Sequence, residues 1–94
     1  MPNVRYSKKA NTDLEDIAAF TFEKWGNDQA ERYVDDLYGV CRLIAQQPEM
    51  GRSCGAGHPK LRRIEHESHV ILYSTTSSSG IIVQRIMHKA QLLP

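Results

Sequence analysis

The chain has 94 residues, 40% hydrophobic and 24% charged, which suits one small core and excludes a disordered or multidomain protein as the starting expectation. No apolar run approaches the roughly 18 residues of a membrane span, and Met1 to Lys9 lacks the apolar stretch of a signal peptide. A cytoplasmic protein of one domain, residues 1–94, with no membrane contact is expected. The net charge of +1 hides an asymmetry: residues 1–50 hold six Lys/Arg against nine Asp/Glu, and residues 51–94 hold six against two, with all four histidines. Such a contrast points to two surfaces with different partners.

Asn3-Val4-Arg5-Tyr6 alternates and reads as a short strand. Ser7 is a plausible N-cap, and from Lys8 the period becomes helical, with Ala10, Leu14, Ile17, Ala18, Thr21 and Trp25 on one stripe. Gly26 stops this helix and Asn27 is expected to cap a second, whose stripe is Ala30, Tyr33, Val34, Leu37, Tyr38, Cys41, Ile44 and Ala45. Pro48 ends it. The short link makes the pair an αα-hairpin. Residues 48–59 read as a glycine-rich loop, followed by strands at 60–66, 70–75 and 81–88. Val70-Ile71-Leu72-Tyr73 is apolar on both faces and should form the central strand. In the last strand, Ile82 and Ile86 should share a face, opposite Val83, Arg85 and Met87. The order is β-α-α-β-β-β, an α+β fold with a helical hairpin packed on a small, mainly antiparallel sheet.

Familiar cofactor signatures are missing. There is no P-loop, no GxGxxG and no HExxH, and the histidine and cysteine spacing fits no usual metal-ligand pattern, so no metal and no cofactor is expected. Cys41 lies on a helix stripe as a small core residue and Cys54 in the loop, which is no disulfide framework. The informative set is Arg52, Lys60, Arg62, Arg63, Arg85 and Lys89. Several arginines on a sheet beside Tyr73 and His66 could grip carboxylate or phosphate groups. The alternative is that they pair with helix acids such as Glu31 or Asp36, and a functional role for at least some of them is the favoured expectation. His88, closing the last strand beside Arg85, could act as general acid or base in RNA cleavage, or could be a hydrogen-bonded structural histidine. Trp25 and Tyr33 flank the helix turn and fit core positions better than an interface patch.

Taken as blocks, Tyr6-Ser7, Ala10, Asp13-Leu14 and Asp16-Ile17, then Trp25-Gly26 and Gln29-Ala30-Glu31-Arg32-Tyr33, resemble ParE-type toxins. So do Gly51-Arg52-Ser53-Cys54, Leu61-Arg62-Arg63-Ile64, Ser68-His69-Val70-Ile71-Leu72-Tyr73 and Arg85-Ile86-Met87-His88. These toxins belong to the RelE/ParE superfamily of bacterial toxin–antitoxin pairs. The resemblance implies the fold that the periodicities give independently. It also implies a ParD-like antitoxin in a hetero-oligomer, wrapping a partly helical segment over the cleft between helices and sheet. ParE toxins of this kind block DNA gyrase or a related topoisomerase by binding, with no direct nucleic-acid contact expected outside the antitoxin complex.

RelE-type relatives instead cleave mRNA on the ribosome, using basic residues on the strands and a Tyr or His near the C-terminus. Arg62, Arg63, Arg85 and His88 would be that set. Two departures count against it: the central strand opens Ser68-His69-Val70 where the nucleases place an arginine, and no tyrosine follows His88. A missing acid–base partner costs roughly 10²–10⁴ in rate. The resemblance therefore favours a binding inhibitor, with Arg62, Arg63, Arg85, His88 and Lys89 gripping the target. Apolar surface left by a thin core, at Val4, Leu37, Tyr38 and Leu92, together with Tyr73, would seat the antitoxin. A degenerate relative that only binds its antitoxin is a third possibility.

Overall fold

The computed structural model describes residues 3–58 and 60–92, the last two by backbone alone. One side chain, Ser7, both ends the first strand, β1 (Asn3–Tyr6), and starts the first helix, α1 (Lys8–Trp25). Its hydroxyl accepts from the Ala10 amide at 3.0 Å and donates to the Gln84 carbonyl at 2.7 Å, while its own amide donates to the Val83 carbonyl at 3.0 Å. The change from period two to period 3.6 is thus fixed against the last strand as well as capped locally.

Helix α1 turns into α2 (Asn27–Gln46) through Gly26 alone. Gly26 sits at φ 91°, a conformation that favours glycine, and serves as C-cap of one helix and N-cap of the next. Asn27 is therefore the first helical residue of α2 and not its cap, and no side chain caps that end. A one-turn 3-10 helix, Pro48–Met50, follows α2. The expected loop then contains a two-residue strand, β2 (Arg52–Ser53), antiparallel to β3 (Arg62–His66). A segment so short leaves no readable period. β3 turns through Glu67 and Ser68 into β4 (His69–Thr76), and β4 turns into β5 (Gly80–His88). A second 3-10 turn spans Lys89–Leu92.

The five strands are ordered β1-β5-β4-β3-β2, with β1 parallel to β5 and the other pairs antiparallel. β4 is central, as its two-faced apolarity requires. The parallel pairing brings Asn3 against Gly80, where any Cβ would overlap the Asn3 carbonyl, so only glycine fits.

A β-bulge breaks the expected alternation of β5. Tyr73 pairs with Val83 and Leu72 with Arg85, so Gln84 is an extra residue. Val83 and Ile86 both enter the core, contrary to a strict period of two. The core lies between the hairpin (Ala10, Leu14, Ile17, Leu37, Cys41, Ile44) and one sheet face (Ile71, Tyr73, Ile81, Val83, Ile86). Burial pushes the Cys41 thiol up to about 11, which leaves it protonated and unreactive at neutral pH. Among the described residues no helix is long and apolar enough to cross a membrane.

Candidate functional site

The basic residues do not form one uniform patch; the fold divides them by partner. Arg85 faces α1 and makes two hydrogen bonds to the Asp13 carboxylate, at 2.8 and 3.0 Å. Asp13 also accepts from the Ile86 amide at 2.9 Å, where β1 has ended and the edge of β5 would otherwise lack a partner. An ion pair with a helix acid was an expected alternative for these arginines, but the acid is Asp13, not Glu31 or Asp36. Arg62 donates to the carbonyl of Gly51 at 2.7 Å and of Glu49 at 3.4 Å, holding the 3-10 turn and β2 against the sheet. Both arginines are tied into the fold.

Arg52, Arg63 and Lys89 share a single acid. Glu65 pairs with Arg52, lies 3.6 Å from Arg63 Nη2, and lies 3.4 Å from Lys89 Nζ. A hydrogen bond and charge attraction from Lys89, with Arg52 and Arg63 adding to it, hold the Glu65 carboxyl below its ordinary range. Lys89 is placed by its own amide, which donates to the Ser68 carbonyl at 2.9 Å. The Nε of Arg63 is buried without a hydrogen-bond acceptor.

His88 stacks edge-on against His69, with ring centroids 5.5 Å apart, and its Nδ1 accepts from the Ala90 amide at 3.1 Å. His69 Nδ1 lies 2.6 Å from the Tyr33 hydroxyl, and the His66 ring lies tilted to that of Tyr33 with centroids 5.9 Å apart. Burial, then the neighbouring His88 and His66, lower the pKa of His69. The shift disfavours the charged ring, and which of the two groups donates in the Tyr33–His69 hydrogen bond is set by the His69 tautomer. Three histidines and Tyr33, drawn from α2, β3, β4 and β5, meet at one end of the sheet. Among the described residues no group of three or more His, Cys, Asp or Glu is arranged to hold a metal ion.

Beside this cluster opens a groove of about 620 Å³, lined by Ile17, Phe20, Trp25, Tyr33, His69 and Ile86 and rimmed by Asp16 and Glu67. Trp25 is 70% exposed and Phe20 61%. Trp25 lies on the stripe that sequence places in the core, but it sits in the last turn of α1, where the side chain lines the open groove. Phe20 and Phe22 fall off the buried face Ala10, Leu14, Ile17 and Thr21, and that offset was the available signal for an exposed aromatic surface.

Of the residues expected to seat a partner, Leu37 and Tyr73 are wholly enclosed, at 0% exposure, and cannot do so. Leu37 packs between helices and sheet. The Tyr73 hydroxyl donates to the Pro48 carbonyl at 2.6 Å and accepts from the Gly51 amide at 2.9 Å. Val4 and Tyr38 are half-buried against the core, Tyr38 edge-on to Tyr6 at 5.5 Å. The side chain of Leu92 lies outside the described residues.

The chain has the fold of solved toxin–antitoxin proteins. It matches the chromosomal ParDE system from P. aeruginosa with a TM-score of 0.79 at 20% identity, covering 94% of this chain and 96% of that one. It matches the RelBE2 toxin–antitoxin complex from Mycobacterium tuberculosis with a TM-score of 0.72 at 14% identity, over 95% and 100% of the two chains. The sequence narrows this class to one family. Residues 4–93 fit the model of the ParE toxin of the type II toxin–antitoxin system parDE. Toxin ParE1 of Mycobacterium tuberculosis is 35% identical over 88% of this chain and 85% of its own length. Toxin ParE1 of Caulobacter vibrioides is 32% identical over 96% and 92%. The chain belongs to the ParE toxin family.

Proposed function

We propose that this toxin acts in the cytoplasm by binding DNA gyrase or a related type II topoisomerase and blocking it, and that a ParD-like antitoxin neutralises it within a hetero-oligomer. The observation that carries the reading of binding over cleavage is the tying down of Arg85 and Arg62. Two of the four basic side chains that a nuclease would need are engaged by Asp13 and by backbone carbonyls. Of the other cations in the basic set, Arg52, Arg63 and Lys89 lie together around Glu65 at the surface and suit gripping an acidic partner. The antitoxin would seat in the aromatic groove beside Phe20 and Trp25, a contiguous apolar surface of the kind that marks partner sites. Purified toxin added to gyrase in a supercoiling assay should abolish supercoiling, and co-expressed antitoxin should restore it. Full supercoiling in the presence of excess toxin would falsify the gyrase reading.

One arrangement favours a second reading, ribosome-dependent mRNA cleavage. His69, hydrogen-bonded to Tyr33 and with His88 stacked on it, places acid–base groups together at the sheet end. Programmed ribosomes incubated with the toxin should then yield cut message, lost in His88→Ala. Intact message would remove this alternative.

A further inference from the structure

Arg52, Arg63 and Lys89 come from β2, β3 and the turn after β5, and they converge on one carboxylate. We infer that this cluster is a docking site for an acidic segment of the target protein, with Glu65 standing in for a partner carboxylate until the partner arrives. The inference rests on the proposed function, since it names the chemistry by which the inhibitor grips its target.

Three observations carry it. Three cations face one acid, so the cluster keeps an excess of positive charge after Glu65 is counted. Glu65 is exposed, and so are its partners in part, with side-chain exposures of 69% for Arg52, 47% for Lys89 and 36% for Arg63. Exposed pairs of this kind are weak and exchange readily with an incoming acid. Finally, Arg63 Nη2 stands 3.6 Å from Glu65, an ion pair beyond hydrogen-bond distance, so Glu65 does not hold that guanidinium tightly.

The present occupant shows which ligand fits. Glu65 uses both oxygens, Oε1 toward Arg52 and Arg63 and Oε2 toward Lys89, so the three cations are already spaced for a carboxylate. A nucleic acid is a poorer match. Backbone-binding proteins neutralise many phosphates at once, on the order of 6–10, whereas this cluster offers three cations on a chain whose first 50 residues carry more acid than base. A short acidic polypeptide meets the local charge without crossing that negative surface.

The test uses a fluorescein-labelled deca-glutamate peptide and fluorescence anisotropy. Wild-type protein should bind it, more weakly as salt rises, because exposed charges are screened within a Debye length of about 8 Å at physiological ionic strength. Arg63→Gln and Lys89→Gln should each weaken binding roughly two- to fivefold, and Glu65→Gln should tighten it by a similar factor. Arg5→Gln removes a cation from the exposed face of β1 and serves as control. Equal weakening by Arg5→Gln would reduce the effect to net charge and overturn the site. Tighter binding of a ten-nucleotide single strand, lost in the same variants, would make the ligand nucleic acid and overturn it too. The gyrase assay separates this inference from the function on which it rests. If wild type and the Arg63→Gln/Lys89→Gln double variant inhibit supercoiling equally, the docking site is wrong and the function stands. If neither inhibits while the peptide results hold, the gyrase reading fails and the carboxylate site survives.

Discussion

Asp13 is the side chain on which the junction of helix and sheet depends. Its carboxylate supplies the missing partner for the Ile86 amide at the edge of β5 and fixes Arg85 by a two-point contact. Charge-assisted hydrogen bonds of this kind contribute about 1.5–3 kcal/mol, and their loss leaves a donor unpaired. Asp13→Ala should lower stability by roughly 2–3 kcal/mol in urea denaturation. An unchanged midpoint would show that water takes over the role of the carboxylate. In sequence Arg85 reads as a functional residue because it belongs to the basic set of the second half and lies beside His88. Nothing local in the sequence ties residue 85 to residue 13, so the pairing was legible only as a general alternative.

At the scale of elements, the segment from the 3-10 turn to β2 is held by β4 through one phenol. Tyr73 reaches across to the Pro48 carbonyl and the Gly51 amide, and its ring lies where a side chain on Gly51 would be. Gly51 is not at positive φ, so close approach alone demands glycine here. Gly51→Ala should cost roughly 1–3 kcal/mol by overpacking. Tyr73→Phe keeps the ring but strands the Gly51 amide, at a cost of about 1–2 kcal/mol. Thermal melts would check both, and the double variant should fall short of the sum because the two residues share one contact. Element types along the chain were legible from periodicity, and so was the hairpin. β2 was not, since two residues carry no period, and the phase of β5 after Gln84 was not, since a bulge depends on the partner strand.

For the whole molecule, the histidine cluster makes stability depend on pH. His69 is held by Tyr33 and faced by His66 and His88, with Glu67 nearby as the opposing charge. Its folded pKa lies below the ordinary value of about 6.5. The unfolded chain therefore binds more protons than the folded one as pH falls through that range, and stability must fall with it. The contribution is complete above about pH 6.5 and is lost on acidification toward the folded pKa. Urea midpoints measured from pH 7.5 to 5.5 should decrease, and His69→Gln should flatten the slope. A slope that survives this substitution would show that His69 does not carry the linkage.

By itself the sequence determined the order of elements apart from β2, the central place of β4, the basic second half and the family. Each of these rests on near neighbours in the chain: a stripe of apolar residues, a proline or glycine at an end, a block of consecutive residues. Tertiary structure alone decided what the charged and aromatic side chains do. It buried Leu37 and Tyr73, opened Trp25 to the groove, gave Arg85 to Asp13 and gathered Arg52, Arg63 and Lys89 around Glu65. The physical reason is distance along the chain. Burial and ion pairing are set by which segments meet in space, and residues 52, 65 and 89 meet only once the strands have paired.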